Sequence, residues 1–233
     1  LSQEQIHEVL IERARSGKEV VRLKGGDPFV YGRGWEEIEA CYLAGIPCEV
    51  IPGVSSVTGV PTRAGVPLTL RGQASTVSVV TPSVGKGLPE RELPYDAMAK
   101  MDTSVVLMGS ALLEEVTKGL MAAGRDGATP AAVVQEGTLP SERQVRGTLA
   151  DIASVVRGEG LRAPMVLIVG PGAGLPRLDL NMPTPGFGPL AGRRVVVTGG
   201  ASQLQGVTDL AADVLDKQVR RGRPLKVAGL ADS

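Results

Sequence analysis

The fold class is decided by the stretch VVRLKGGDPFVYGRG at residues 20–34. The overlapping segment EVVRL at 19–23 predicts a short strand, and the remainder at 24–34 predicts a loop. Paired glycines permit positive φ angles and let a ligand approach the backbone, and Pro28 restricts the chain just after Asp27. A strand that ends in such a loop is typical of α/β proteins that bind ligands at the carboxyl ends of their strands.

Helical and strand patterns lie on both sides of this loop. Apolar spacing predicts a helix over 3–16, a second helix is predicted over 35–44, and a glycine follows each of them. The segment CEVIP at 48–52 predicts a strand, and a third helix is predicted over 55–64. Strands and helices therefore alternate, and this order predicts a parallel sheet.

A second α/β domain is predicted at 73–175, after a first domain at 1–72. Its strands are predicted at 75–81, 104–110, 131–137, 143–149 and 164–170, its helices at 112–123 and 151–157, and a polar loop at 86–96. The third and fourth of these strands are close enough in sequence to pair antiparallel. Residues 176–192 are rich in proline and glycine, which is typical of a linker, and 193–233 begin a partial further module with the strand-like segment RRVVVTGG.

Composition excludes several classes of function. The formal net charge is zero and aromatic residues make up 3% of the chain, which favours neither nucleic acid nor an anionic membrane surface as a partner. No apolar run reaches the length of about 20 residues that spans a bilayer. Cys41 and Cys48 are predicted to be buried thiols in the reducing cytoplasm. With His7 as the only histidine, no metal site is expected.

Four strand exits share one design, an apolar run followed within a few residues by glycine. They are GGDP after residue 24, VIPGVSS at 50–56, VVLMGS at 105–110 and VVQEGT at 133–138. The carboxylate of Asp27 can accept hydrogen bonds from an amine or a ribose hydroxyl, and no phosphate-binding glycine motif is present. We therefore expect a nucleoside ligand without phosphates. Each exit taken singly also fits a plain tight turn, a helix cap or core packing by Met108.

The order of these strings resembles the tetrapyrrole methylase family. RLKGGDPFVYGRG, AGIPCEVIPGVSSVTGVPTRAGVPLTLRG, VVLMG, PAAVVQEGT and APMVLIVG follow one another in the family's order, over about residues 1–175. The first string is most similar to that of the uroporphyrinogen-III C-methyltransferase branch, which belongs to the class-III S-adenosylmethionine-dependent methylases. This resemblance implies two α/β domains with a cleft between them in which S-adenosylmethionine binds.

The resemblance also implies a set of cofactor contacts. By position these are Gly25, Gly26, Asp27, Val30, Ser55, Ser56, Met108 and Gly137. The family's strand exit before the last glycine reads Gln135-Glu136 here, so backbone contacts survive the difference better than side-chain contacts do. Ser56 stands where alanine is commoner in the family. Among the cations Arg22, Lys24, Arg33, Arg63 and Arg71, the last two are expected to bind the carboxylates of the substrate, and a solvated surface charge is the alternative for each.

The activity implied is methyl transfer to C2 and C7 of uroporphyrinogen III, which gives precorrin-2 for siroheme or cobalamin biosynthesis. Another precorrin C-methyltransferase and a non-catalytic binding fragment are the alternatives. The family's first strand, its G-x-G-P-G-D-type loop and its residues for proton transfer have no match here, so an incomplete first domain is expected and no catalytic residue is assigned. Residues 193–233 resemble the start of uroporphyrinogen-III synthase, and the family's members commonly form homodimers.

Overall fold

The computed structural model describes residues 1–82 and 92–177 and a strand at 227–230. These residues divide into two compact units. Among the described residues, unit 1 comprises residues 1–55 and the strand at 227–230, and unit 2 comprises residues 56–82 and 92–177. The division between Ser55 and Ser56 lies closer to the N-terminus than the boundary predicted from the sequence at 72/73.

Unit 1 contains two helices and a three-stranded parallel sheet. Helix α1 spans Gln3–Arg15 and α2 spans Gly34–Leu43. Ser2 caps α1 through a reciprocal pair of hydrogen bonds with Gln5, which supplies partners for free backbone N–H groups of the first turn. Strands β1 and β2 span Lys24–Gly25 and Val50–Ile51, and β8, at Val227–Leu230, lies between them and is parallel to both.

The sequence predicted the helices of unit 1 better than its strands. Both predicted helices are confirmed within one residue at their ends. The strand predicted at 19–23 is wrong in position, because the paired residues are Lys24 and Gly25. The partner of this strand comes from residues 227–230, and a pairing so distant in sequence leaves no local signal.

Unit 2 is built on a five-stranded mixed sheet. Its helices are α3 at Ser56–Arg63, α4 at Tyr95–Ala99, α5 at Leu113–Ala122 and α6 at Ile152–Gly158. Its strands are β3 at Val77–Val80, β4 at Thr103–Val106, β5 at Pro130–Gln135, β6 at Arg143–Thr148 and β7 at Met165–Val169, in the order β3-β4-β7-β5-β6.

The directions of these strands place the strand exits. Strands β3 and β4 are parallel, and β7 is antiparallel to both of its neighbours, β4 and β5. Strands β4 and β5 therefore run in the same direction and end at the same edge of the sheet. The predicted antiparallel pairing of β5 with β6 is confirmed. The short helix α4 lies partly inside the predicted polar loop and was missed, because five residues carry too little periodicity.

Apolar layers cover both faces of this sheet. Residues alternate along β5, so Ala131 and Val133 pack with α5 and α6, while Ala132 and Val134 pack with α3. On the α3 side, Val60 and Val66 are fully buried. Helix α3 thus belongs to the core of unit 2, which is the physical reason that the division falls before Ser56.

Three other expectations from the sequence concern the C-terminal region, the two cysteines and membrane-spanning helices. The predicted linker and the predicted module at 193–233 lie outside the described residues, except for residues 176–177 and for β8. Cys41 is buried as predicted, but Cys48 is exposed, because it lies in the connection between α2 and β2. Within the described part of the chain, no helix is both long and apolar enough to cross a membrane.

Candidate functional site

Asp27 joins the first two strand exits within unit 1. Its Oδ1 accepts a hydrogen bond from the backbone N–H of Phe29 at 2.9 Å, and its Oδ2 accepts one from that of Gly53 at 3.3 Å. Gly26 just before it has φ 67°, in the left-handed region that favours glycine. The carboxylate therefore ties the GGD turn to the Pro-Gly turn after β2.

The loop between β1 and α2 closes tightly upon itself. The N–H of Gly34 donates to the carbonyl of Pro28 at 2.9 Å. A Cβ atom at Gly34 would lie 2.5 Å from that oxygen, and one at Gly32 would lie 2.7 Å from it, so neither position has room for a side chain. Tyr31 and Arg33 have φ values of 54° and 55°, which non-glycine residues adopt rarely and which concentrate at functional loops.

Apolar side chains on these two loops face solvent. Phe29, Tyr31 and Val54 have exposed fractions of 55%, 44% and 54%, and the predicted cofactor contact Val30 is also exposed. Burial of part of the Tyr31 ring raises the pKa of its phenol, so the side chain is neutral over the physiological range. Exposed apolar groups on a strained loop are typical of a surface that a ligand covers.

A charged pair stands at the start of α2. Arg33 binds Glu36 through its Nη2 at 2.6 Å and its Nε at 2.9 Å, and both side chains are largely exposed. The hydrogen bond from Arg33 lowers the pKa of Glu36 and raises that of Arg33 itself. Arg33 was among the cations named from the sequence, but its pairing with Glu36 was not predicted. The spacing of three residues at the start of a helix was the available signal.

The serines predicted to contact the cofactor lie at the division between the units. Ser55 is half-buried and is the last residue of unit 1 before α3. Ser56 is buried and begins α3 in unit 2. Each therefore belongs to the compact unit on its own side of the chain.

The strand exits of unit 2 carry strained residues. Met108, two residues beyond β4, has φ 53°, and Glu136 and Thr138, just beyond β5, have φ 49° and 73°. Because β4 and β5 end at one edge with only β7 between them, the ends of these two strands lie two strand spacings, about 10 Å, apart. The Met108 side chain is exposed, which argues against the core-packing interpretation.

Gly137 lies where no side chain fits. A Cβ atom at this position would come within 2.5 Å of Val60 Cγ1 on α3. The glycine therefore lets the β5 exit pass directly against the first turns of α3. Sequence alone could not show this contact, because Val60 and Gly137 are far apart along the chain.

The two predicted substrate cations both lie in unit 2. Arg63 is half-buried at the end of α3, and Arg71 is exposed in the turn bridged by Leu70 and Ala74. That turn adjoins the start of β4, because Thr103 Oγ1 donates to the carbonyl of Leu68 at 2.8 Å. Arg71 thus lies at the sheet edge opposite to Met108, and its assignment to the substrate stays a prediction.

The strand exits of the described residues present several kinds of chemical group. No group of three or more His, Cys, Asp or Glu side chains among residues 1–82 and 92–177 is placed to hold a metal ion. What unit 1 offers is a carboxylate, exposed backbone and apolar side chains, and what unit 2 offers is two strained strand exits. These chemical groups suit an uncharged heterocycle with hydroxyl or amine donors.

Comparison with known proteins identifies the family to which these features belong. Residues 1–153 match the family model of the Tetrapyrrole (Corrin/Porphyrin) Methylases. The chain is 44% identical over 169 residues to a uroporphyrinogen-III C-methyltransferase of Methanocaldococcus jannaschii, which covers 72% of this chain and 69% of that protein. It is also 44% identical over 171 residues to a siroheme synthase of Azotobacter vinelandii, covering 73% of this chain but 36% of the relative.

A solved structure supports the same assignment. The uroporphyrin-III C-methyltransferase of Thermus thermophilus, crystallised in complex with S-adenyl homocysteine, superposes with a TM-score of 0.62 at 37% identity over 74% of each chain. The α/β fold class predicted from the sequence is confirmed by this match. The chain spans little more than a third, 36%, of the siroheme synthase that it resembles.

Proposed function

The chain belongs to the tetrapyrrole methylase family, and we propose that it moves methyl groups from S-adenosylmethionine to C2 and C7 of uroporphyrinogen III, giving precorrin-2 for siroheme or cobalamin biosynthesis. One observation carries the proposal: Asp27 links the GGD loop to the Pro-Gly loop through its bond to Gly53. That link assembles one continuous ligand-facing edge from two separate βα connections. Relatives matched over most of their length carry the corresponding name.

The chemistry of unit 1 fits the nucleoside part of the cofactor. An ionised carboxylate has about four acceptor sites, and Asp27 uses two of them on backbone N–H groups, which leaves acceptor capacity for a hydroxyl or an amine. Gly25 and Gly26 leave the backbone open to close approach, and the exposed side chain of Val30 offers an apolar contact. We assign these four residues to the cofactor.

Ser55, Ser56, Met108 and Gly137 complete the proposed cofactor contacts. Met108 presents an exposed thioether on a strained backbone, and the backbone at Gly137 is free of a side chain. A polarisable sulfur contacts a neutral ring without requiring a charge. We expect backbone contacts at Gly137, because the residues before it depart from the family's pattern.

The proposed reaction depends mainly on alignment. Bound S-adenosylmethionine supplies a methyl group on a positively charged sulfur. The residues proposed to hold the cofactor would orient it toward an electron-rich pyrrole carbon and exclude water, which lowers the entropic part of the barrier. Exposed Phe29 and Tyr31 provide flat apolar area for the macrocycle, and Arg63 and Arg71 are proposed to bind its carboxylates. The proton that the methylated carbon releases is assigned to none of the described residues.

Calorimetric titration with S-adenosylhomocysteine tests the cofactor site. Asp27→Ala removes the acceptor and the link to Gly53, so we expect affinity to fall at least tenfold, whereas Glu39→Ala, an exposed charge on α2, leaves it unchanged. Saturable binding that is equal in both variants would place the cofactor away from the GGD loop. Absence of binding by the folded wild-type chain would refute the cofactor assignment.

Turnover distinguishes the remaining alternatives. Methylation of uroporphyrinogen III to precorrin-2 supports the proposal, whereas turnover only with a later precorrin indicates a sister methyltransferase. Cofactor binding without turnover of any of these substrates indicates a binding module. Mass spectrometry of the products counts the methyl groups that are transferred.

We further propose that the protein acts as a homodimer in the cytoplasm. Both thiols are free, which suits a reducing compartment. Sedimentation of the purified chain measures the oligomeric state, and a single monomeric species at micromolar concentration would overturn this part of the proposal.

A further inference from the structure

A buried carboxylate lies under the GGD loop and has no place in the proposed cofactor contacts. Glu37, in the first turn of α2, is only 4% exposed. Its Oε2 accepts a hydrogen bond from Lys24 Nζ at 2.8 Å, and its Oε1 accepts hydrogen bonds from Arg22 Nε and from Gln3 Nε2, each at 3.2 Å. Lys24 is itself buried, with 7% of its side chain exposed.

These contacts join the two ends of the loop. Lys24 lies in β1 directly before Gly25, Gly26 and Asp27, and Glu37 lies three residues after the loop ends at Gly34. Their ion pair therefore sets the distance between the strand that enters the loop and the helix that leaves it. Asp27, which accepts the hydrogen bond from Gly53, lies three residues after Lys24.

On the side of the ion pair that borders a cavity, side-chain packing does not fix the distance between β1 and α2. Lys24 and Glu37 border a cavity of about 400 Å³ within unit 1, which is also lined by Leu10, Ile38 and Cys41. A cavity leaves few contacts to fix the position of neighbouring groups. Buried ion pairs add little net stability compared with apolar residues of the same size, and their best-supported use is to specify one geometry.

We propose that Glu37 is a positioning residue which, through Lys24, holds the GGD loop in the conformation that binds the cofactor. This inference rests on the proposed function of the loop. Glu37 is not assigned a contact with any reacting atom. Its proposed effect is on binding, because a loop that is already ordered does not lose conformational entropy when the ligand binds.

The first test measures binding and loop protection in Glu37→Gln, with Glu39→Gln as the matched control. Glu39 lies on the same helix, and its exposed side chain undergoes the same chemical change. We expect Glu37→Gln to weaken S-adenosylhomocysteine binding at least tenfold at a temperature where both variants are folded, and the control to bind as the wild type does. Equal affinity in the two variants would overturn the inference.

Hydrogen exchange separates this inference from the proposed function. In the absence of any ligand, the amides of Gly34 and Gly53, which donate to Pro28 and Asp27, should exchange at least tenfold faster in Glu37→Gln than in Glu39→Gln. If the wild type does not bind S-adenosylhomocysteine, the proposed function fails while this measurement still tests the positioning role. Unchanged exchange at both amides contradicts that role whatever the wild type binds.

A rescue variant distinguishes positioning from simple stabilisation. Lys24→Met combined with Glu37→Leu replaces the ion pair by apolar groups of similar size and should restore the melting temperature lost in Glu37→Gln. The expected result is a recovered melting temperature with affinity still reduced at least tenfold. Recovery of both properties would show that Glu37 acts only through stability.

Discussion

Units 1 and 2 hold their strand exits by different means. In unit 1, two strands of two residues each carry the loops, and side-chain carboxylates fix them: Asp27 binds backbone N–H groups and Glu37 binds cations. In unit 2, Met108 and Glu136 have positive φ and follow strands of a five-stranded sheet that lies between two apolar layers. The strand exits of one unit are thus held by charged groups, and those of the other follow strands that are held by apolar packing.

The largest loss of stability is expected when a core residue of unit 2 is truncated. Leu120 on α5 is 1% exposed within the apolar layer, so Leu120→Ala leaves a cavity and should cost about 2–5 kcal/mol of unfolding free energy. Urea denaturation followed by circular dichroism measures the loss. Leu112→Ala, at a position 37% exposed, should cost much less, and equal losses would contradict the packing argument.

The charge argument for unit 1 is tested by Lys24→Met. Removal of the amine leaves the buried Glu37 with Arg22 as its remaining cation, which should destabilise unit 1 by up to about 3 kcal/mol. Hydrogen exchange, measured by mass spectrometry of peptides, should be faster in α2 and unchanged in β4 and β5. The control Lys18→Met removes an exposed amine and should change neither. Acceleration in both units would mean that they do not differ as described.

Unit 2 also contains a carboxylate, that of Asp102, which fixes backbone N–H groups. Its Oδ2 accepts hydrogen bonds from the backbone N–H groups of Ser75 and Thr76, and these bonds lower its pKa to about 2. A carboxyl whose pKa is lowered on folding stabilises the protein above its unfolded pKa, so this contribution should be lost as the pH falls from about 4 to about 2. Acid titration of Asp102→Asn should show a flatter loss of stability over that window than the exposed control Asp96→Asn.

The smallest effect is expected at the exposed pair of unit 1. Arg33 and Glu36 meet at 2.6 Å, but solvent screens the interaction, so Glu36→Gln should change the unfolding free energy by less than about 1 kcal/mol. The change should shrink further in 0.5 M salt. If Glu36→Gln lost as much unfolding free energy as Lys24→Met does, solvent exposure would not explain the difference between the Arg33–Glu36 and Lys24–Glu37 pairs.

The sequence predicted elements that carry a local signal. Every predicted helix within the described residues is present, because apolar spacing and terminal glycines are read over one segment. The GGD and Pro-Gly exits were singled out for the same reason, whereas the hydrogen bond from Gly53 to Asp27 that links them was not predicted.

Features that depend on distant residues escaped prediction. Glu37 lies in an ordinary helix start, and only tertiary contacts with Lys24 and Arg22 show that it is buried. The strain at Met108 and Glu136 is equally invisible, because neither residue type favours positive φ. The short strand β1 was misplaced since its partner lies near residue 229.

The position of β8 late in the chain delays completion of the sheet of unit 1 during synthesis. Lys24 pairs with Gly229 and Val50 with Val227, so the sheet of unit 1 closes only after the ribosome has passed residue 230. Unit 2 draws its strands from residues 77–169 and is ready earlier. At roughly 5–20 residues per second, the synthesis of residues 178–226 alone takes several seconds. The sheet that contains residues 24–25 and 50–51 is therefore completed later than the sheet of unit 2, although these residues precede unit 2 in the chain.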